Sequence, residues 1–372
     1  MKLLIMAIQF KGGSLQGVVS ILREIVKFTE HEYHIVLSKE VKQQLQGIDF
    51  PANMHFVDLP YLSGNRTWNL FRNRGFFREL EARIKPDCVL CTSGPMYWKS
   101  QSPCLMGFNL PHHIYPESPY FAKLSLSARL RWFLRRTLHK YYFRKEGTAF
   151  FVQTDDVNAR LKKYIGRDEV FTVPNTYSVS YRKIEEYPPK LPPKQIGELR
   201  CLTISAYYPH KNHEVIRKVV DVLRVRGRED IKFVVTLPSD RYEMLFPEQY
   251  KGSVLNVGFV PSKEGPALYR ECDFMFLPTL LECFSASYAE AMVMHKPILT
   301  SDLGFAHCVC QDAAVYFNPV DAEEIADKLT ALAADQARQD ELVAKGSKLL
   351  AQFGSSEDRV REILKLCAKI AR

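Results

Sequence analysis

The feature that most constrains this chain is an alternation. Short, mostly apolar runs recur with longer mixed segments between them. LLIMAI (Leu3–Ile8), HIVL (His34–Leu37), MHFVDL (Met54–Leu59), CVLCT (Cys88–Thr92), CLMGF (Cys104–Phe108) and AFFVQ (Ala149–Gln153) form a first series. RCLTIS (Arg200–Ser205), KFVVTL (Lys232–Leu237), VLNVGFV (Val254–Val260), DFMFLP (Asp273–Pro278), PILTS (Pro297–Ser301) and AVYF (Ala314–Phe317) form a second. Such runs read as strands buried on both faces, and helical segments between them argue for parallel strands in βαβ units. After Leu3–Ile8 comes a Gly-containing loop, GGSLQG (Gly12–Gly17), and then a helix to about Phe28. A further helix is expected from about Asn212 to Arg224. The tail from Ala322 is helical and ends in a helix near 356–371 that Ser355 or Ser356 can cap.

The alternation is broken between Tyr177 and Leu199, where YPPKLPP (Tyr187–Pro193) has no helical period and reads as a linker. The 372 residues suit two domains, here 1–178 and 179–372. Two open parallel sheets joined this way put a cleft between them, and ligands of such sheets bind beyond the carboxyl ends of the strands.

Composition excludes several classes. At 46% hydrophobic and 25% charged, with 18 Gly and 21 Pro, the chain is neither disordered nor collagen-like. The nine cysteines sit mostly in apolar runs (Cys88, Cys91, Cys201, Cys272), where Cys acts as a small hydrophobe. Cys88 and Cys91 form a C-x-x-C within an apparent buried strand, without a second pair at zinc-ribbon spacing. A reducing cytoplasm is the expected compartment. No apolar run approaches the ~20 residues of a membrane span, and Leu3–Ile8 is too short for a secretory signal. The expectation is a soluble or peripheral protein.

The net charge of +9 is uneven. Residues 1–178 carry 25 Lys and Arg against 15 Asp and Glu, whereas residues 179–372 carry 26 against 27. The first half therefore suits an anionic partner, nucleic acid or membrane surface. KLSLSARLRWFLRRTLHKYYFRK (Lys123–Lys145) has eight cations and no acid. Leu130, Leu134, Leu138 and Tyr141 recur at helical spacing. Two readings stay open: a domain helix packed on that stripe, or an interfacial helix on an anionic membrane. The segment lacks zinc-finger spacing, RNP-like aromatics and a basic-zipper pattern, so nucleic acid is not expected.

The sharpest local pattern is PTLLECFSASYAEAMVMHKPILTS (Pro278–Ser301). A strand ends at Pro278, Glu282 follows in a loop, and a helix begins near Ser285. The free N–H groups across Cys283, Phe284, Ser285 and Ala286 make an anion site. Glu290, within the helix, can accept from two vicinal hydroxyls, and Glu282 can meet a sugar. Such a cradle suits a nucleotide-diphosphate sugar. Against this stands the ordinary alternative of two solvated surface acids, which the apolar neighbours of Glu290 disfavour.

E-x7-E followed by A-M-x-x-x-x-P resembles the retaining family-4-type glycosyltransferases of the GT-B fold, the glycosyl transferases of group 1. The likeness extends through GFVPSKEGPALYRECDFMFLPT, LGFAHCVCQDAAVYFNPVDAEEIADKL and SAYYPHKNHEVIRKVV, to VPNTYS (Val173–Ser178) and, in the first half, to GGSLQGVV (Gly12–Val19). The resemblance implies a GT-B architecture: two Rossmann-like domains across a cleft, with the last helix crossing back to the first domain. It implies that Lys211 reaches the donor diphosphate, Glu282 lies beside the donor sugar, Glu290 binds ribose, and Gly12 and Gly13 approach the phosphates and acceptor. His112 or His113 stands where the family often has a His near the sugar. The chain also departs from the pattern. Ser205-Ala206-Tyr207 replaces the family's G-R-L, removing one of two cations on the leaving group. Ser285 replaces a Gly, and Gly304 is followed by Phe305, Ala306 and His307 without the usual acid.

The function so implied is transfer of a sugar, with retention, from a UDP- or GDP-type donor to a hydroxyl of a glycan or lipid-linked saccharide in cell-surface polysaccharide synthesis. The place would be the cytoplasm, at the inner face of the plasma membrane. No cofactor and no metal are expected, since the sequence has no Asp-x-Asp. The competing readings are an inactive sugar-nucleotide-binding protein and a basic nucleic-acid-binding protein.

Overall fold

The computed structural model describes residues 1–9, 12–60, 66–181 and 187–371. Its strands form two sheets in which every pairing is parallel. The first sheet contains β1 (Lys2–Ala7), β2 (Glu32–Leu37), β3 (Met54–Asp58), β4 (Cys88–Cys91), β5 (Cys104–Gly107), β6 (Ala149–Val152) and β7 (Val170–Thr172), in the order β3-β2-β1-β4-β5-β6-β7. The second contains β8 (Leu199–Thr203), β9 (Ile231–Val235), β10 (Val254–Asn256), β11 (Phe274–Leu277), β12 (Ile298–Ser301) and β13 (Ala314–Phe317), in the order β10-β9-β8-β11-β12-β13. In each sheet the order reverses once, between β1 and β4 and between β8 and β11. These switch points are where open α/β sheets leave a crevice at the strands' carboxyl ends.

The chain divides into two compact units. One comprises Met1–Pro116, Leu124–Pro174 and Ser355–Arg372, and the other Glu117–Lys123 and Asn175–Gly354. Two segments depart from a single division near 178/179, the first of them as the family resemblance implies. The first is the last helix, Ser356–Ile370, which packs in the first unit through Val360, Ile363, Leu364 and Cys367. Their i, i+3, i+4, i+7 spacing makes one apolar stripe. The Ser355 hydroxyl and the Asp358 carboxylate form a capping box at its start. The second is the seven-residue segment Glu117–Lys123, which lies with the second unit although the chain on both sides of it lies with the first.

The Gly-rich segment after β1 is not a loop. The helix Gly12–Ile25 begins there, and Gly12 itself has φ +69°, a conformation that costs glycine little. Gly13 has no such need, since a Cβ there would meet nothing within 4 Å.

Candidate active site

The loops after β8 and β11 are adjacent at the second switch point and bind each other through their backbones. Beyond β8 the chain makes a short turn, Pro209–Lys211, closed by Asn212 in the left-handed conformation at φ +60°. The His210 carbonyl accepts from Leu280 N at 2.7 Å and from the Thr279 hydroxyl at 3.1 Å. The Asn212 amide donates to the Pro278 carbonyl at 3.1 Å and the Pro319 carbonyl at 2.8 Å. This lacing fixes where Lys211 and Glu282 point. The Lys211 ammonium donates to Glu282 Oε1, which also accepts from Thr279 Oγ1 at 3.2 Å. The two side chains retain 14% and 11% of their exposure, so each end of the ion pair still reaches solvent. Glu282 is therefore no solvated surface acid.

Two histidines flank Lys211 and neither supplies charge. Burial first, and then the Lys211 ammonium, pushes His210 down to about 4 and His213 down to about 3. Both are neutral near pH 7, which leaves Lys211 as the cation of this turn. His213 is fully buried, with Nε2 3.2 Å from Ser205 Oγ, the hydroxyl standing where the family pattern has Gly.

The helix after β11 spans Ala286–Val293, with Ser285 as N-cap. The Ser285 side chain makes no capping bond, so the N-cap offers the first-turn N–H groups no side-chain acceptor. Cys283 and Ser285 are buried, while Phe284 and Ala286 are half-buried. The helix is pinned by the Tyr288 hydroxyl on Thr300 Oγ1 at 2.8 Å and by Ser287 Oγ on the Ile204 carbonyl at 3.3 Å. Glu290, one turn further on, is partly exposed as a residue. Its carboxyl group, however, is packed against protein, and burial pushes it up to about 7 against hydrogen bonds from the Tyr181 and Tyr269 hydroxyls. Tyr181 gets this close because residue 265 is glycine: a Cβ there would lie 2.1 Å from the Tyr181 hydroxyl oxygen.

Of the residues expected from sequence, the second unit brings together Lys211, Glu282, Cys283, Phe284, Ser285, Ala286 and Glu290 around one switch point. The first unit holds Gly12 and Gly13 at the start of the helix after β1, and His112 and His113 in the turn Pro111–His113. His113 does not present a ring to ligand. It is 1% exposed, its Nε2 meets His139 Nδ1 at 2.9 Å, and His139 Nε2 meets the Tyr97 hydroxyl at 2.7 Å. Burial, then His139, pushes it down to about 2, so it is a neutral packing residue. His112 stays partly exposed, with its carbonyl accepting from Trp132 Nε1 at 2.7 Å.

Sequence reasoning missed Thr279, Asn212, Tyr181 and Tyr269, as well as Ser118 and Lys123. Ser118 Oγ donates to the Leu280 carbonyl at 2.7 Å and Lys123 Nζ to Asn212 Oδ1 at 2.5 Å. These contacts span up to 162 residues of chain and have no local signature. Metal-capable side chains converge at Glu32, His34 and His55, near the amino ends of β2 and β3. Glu32 Oε1 lies 2.7 Å from His34 Nε2, already engaged by hydrogen bonding. The nine cysteines are free thiols.

Residues 198–335 match the family described as Glycosyl transferases group 1. No curated protein matches the sequence. Solved structures are similar over nearly the whole chain. Sucrose-phosphate synthase from Thermosynechococcus elongatus has a TM-score of 0.74 at 14% identity, covering 99% of this chain and 98% of that one. Alr3699/HepE from Anabaena, in complex with UDP and glucose, has a TM-score of 0.70 at 12% identity, covering 99% of each. WaaG, a glycosyltransferase involved in lipopolysaccharide biosynthesis, has a TM-score of 0.70 at 14% identity, covering 100% of this chain and 99% of that one. At such identities the likeness shows the fold, two Rossmann-like units of GT-B type.

Proposed function

We propose that this chain is a group 1 glycosyltransferase that moves a sugar, with retention at the anomeric carbon, from a UDP- or GDP-type nucleotide-sugar donor to a hydroxyl of a glycan or lipid-linked saccharide in cell-surface polysaccharide synthesis; the family match over residues 198–335 and the GT-B fold support this reading. The observation that carries this reading is the Lys211–Glu282 pair at the β8/β11 switch point, beside a helix start whose N-cap side chain leaves the N–H groups open. As the bond between the sugar and the diphosphate breaks, negative charge grows on the leaving oxygen. Lys211 and the first-turn N–H groups of the Ala286 helix would meet that charge in a preorganised site. Glu282 would hold the ammonium in place and border the donor sugar. Glu290, when ionised, would accept from both ribose hydroxyls.

The structurally similar HepE is a complex with UDP and glucose, which supports a donor of this class. Two similar proteins differ by their descriptions, one a sucrose-phosphate synthase and the other a glycosyltransferase involved in lipopolysaccharide biosynthesis. The acceptor assignment therefore leans on this chain's own basic first half. The reaction would run in the cytoplasm, at the inner face of the plasma membrane. The alternative of an inactive sugar-nucleotide binder draws on Ala206, which stands where the family pattern has its second cation.

One experiment decides between them. The purified chain is incubated with UDP-glucose, UDP-N-acetylglucosamine and GDP-mannose, nucleoside-diphosphate release is followed, and the anomer formed is read by proton NMR. Release of diphosphate with an axial product from an axial donor is expected. Binding without turnover would make the protein an inactive binder, and an inverted anomer would overturn retention.

A further inference from the structure

The helix Leu126–Glu146 has two apolar faces, and only one of them is packed. At about 100° per residue, Trp132, Arg136, His139, Phe143 and Glu146 fall on one side. That side is the domain face. His139, Phe143 and Glu146 are buried, Trp132 Nε1 donates to the His112 carbonyl, and Arg136 Nε donates to the His113 carbonyl at 2.8 Å. Leu126, Leu130, Leu134, Leu138 and Tyr141 fall on the opposite side, with Phe133 at its margin. They are 83%, 60%, 58%, 45%, 55% and 55% exposed, in that order. Among the described residues, the other exposed large hydrophobics sit on separate elements rather than in a stripe. An outward row of this kind on one helix needs an explanation beyond ordinary surface chance.

The charges say what covers it. Arg129 and Lys140 border the stripe on one side, Arg131 and Arg135 on the other, and Arg144 and Lys145 at its carboxyl end. The only acid of the helix is Glu146, which is buried on the inner face. A second copy laid on this stripe would bring cations against cations with no acid of the helix to pair them. Nucleic acid would satisfy the charges but offers nothing to a row of leucines about 18 Å long. An anionic lipid surface satisfies both, since acyl chains take the leucines and phosphates take the flanking cations. No described helix is long and apolar enough to cross a membrane, so the helix would lie in the interface plane.

We propose that the outward face of Leu126–Glu146 is an in-plane docking surface for an anionic lipid bilayer. It deepens the proposed function, on whose lipid-linked acceptor its biological sense rests, by naming the surface that brings the chain to that acceptor.

The test is co-sedimentation of the full chain with vesicles of phosphatidylcholine alone and with 30 mol% phosphatidylglycerol, at 0.1 M and 1 M NaCl. Binding is expected only to the anionic vesicles, and it should weaken at high salt as the Debye length falls from ~10 Å to ~3 Å. Each cation at such a surface is worth about a fivefold change in partition, so Arg131→Gln with Arg135→Gln should lower binding about 25-fold. Leu130→Ser with Leu134→Ser should abolish it, at little cost in folding, because both side chains are already exposed. Arg136 is left unchanged because it holds the His113 turn. Equal binding to both vesicles, or none to either, would overturn the proposal. So would a wild-type dimer by light scattering that the leucine pair makes monomeric, since the face would then belong to a second copy. Donor hydrolysis without vesicles is measured alongside and should be unchanged in both variants. Its absence in the wild type would strike the proposed function and leave the docking result standing.

Discussion

Replacing Lys211 with Met removes a cation from the proposed donor site and strands a carboxylate, and the two consequences can be separated. Glu282 keeps only 11% of its side-chain exposure, and Lys211 is its ionic partner. Removing one partner of a buried pair costs about 3–5 kcal/mol. Here the Thr279 hydroxyl still reaches Glu282 at 3.2 Å and solvent is near, so about 2–3 kcal/mol is expected. For a domain of this size each kcal/mol moves Tm by ~2–4 °C, which gives a drop of roughly 4–12 °C. Separately, losing one preorganised donor to developing anionic charge should lower turnover by about 10²–10³. Adding Glu282→Gln removes the stranded charge. The double variant should therefore recover most of the Tm while turnover stays low. The assays are differential scanning fluorimetry and nucleoside-diphosphate release. If turnover returns with Tm, Lys211 acts through stability alone, and if Lys211→Met turns over like wild type, it has no part in the chemistry.

Three further outcomes follow from the same site. The Glu290 carboxyl is raised from 4.5 to about 7, so it is neutral below and ionised above; donor KM should fall as pH rises through about 7, stability held in the protonated form should be lost over the same rise from near 4.5, and Glu290→Gln should flatten both profiles while raising donor KM more than it lowers kcat. Gly265→Ala should mimic Tyr181→Phe in that pH profile, because the new methyl would sit 2.1 Å from the Tyr181 hydroxyl; a wild-type profile in Gly265→Ala would refute the Tyr181–Glu290 contact. Activity should persist in EDTA, because a diphosphate held by Lys211 and a helix start needs no bridging ion; loss restored by Mg²⁺ or Mn²⁺ would contradict this.

The strand runs and the E-x7-E spacing were legible in the sequence because both are local. Continuous apolar runs require burial on both faces, and that forces parallel pairing under helices. What local pattern could not show was which of two apolar faces a helix buries. Leu130, Leu134, Leu138 and Tyr141 have the spacing of a packed stripe, yet the packed side is the one carrying His139 and Phe143. Trp132 and Arg136 on that inner side donate to the backbone of the Pro111–His113 turn, a contact no periodicity predicts. The burial of His113 is illegible for the same reason, since its partner His139 lies 26 residues on, in that helix. β7, three residues long, was too short to stand out from VFTVPN. Tyr181 reaches Glu290, and the segment Glu117–Lys123 reaches the second unit, from distant stretches, and only the folded chain makes either connection.

The most direct test of the donor site is a calorimetric titration of UDP and of GDP into the full chain in EDTA, repeated with Lys211→Met. The account predicts one site per chain for at least one of the two nucleotides, with affinity lowered by at least tenfold in the variant. Failure of both nucleotides to bind, or equal affinity in wild type and variant, would contradict it.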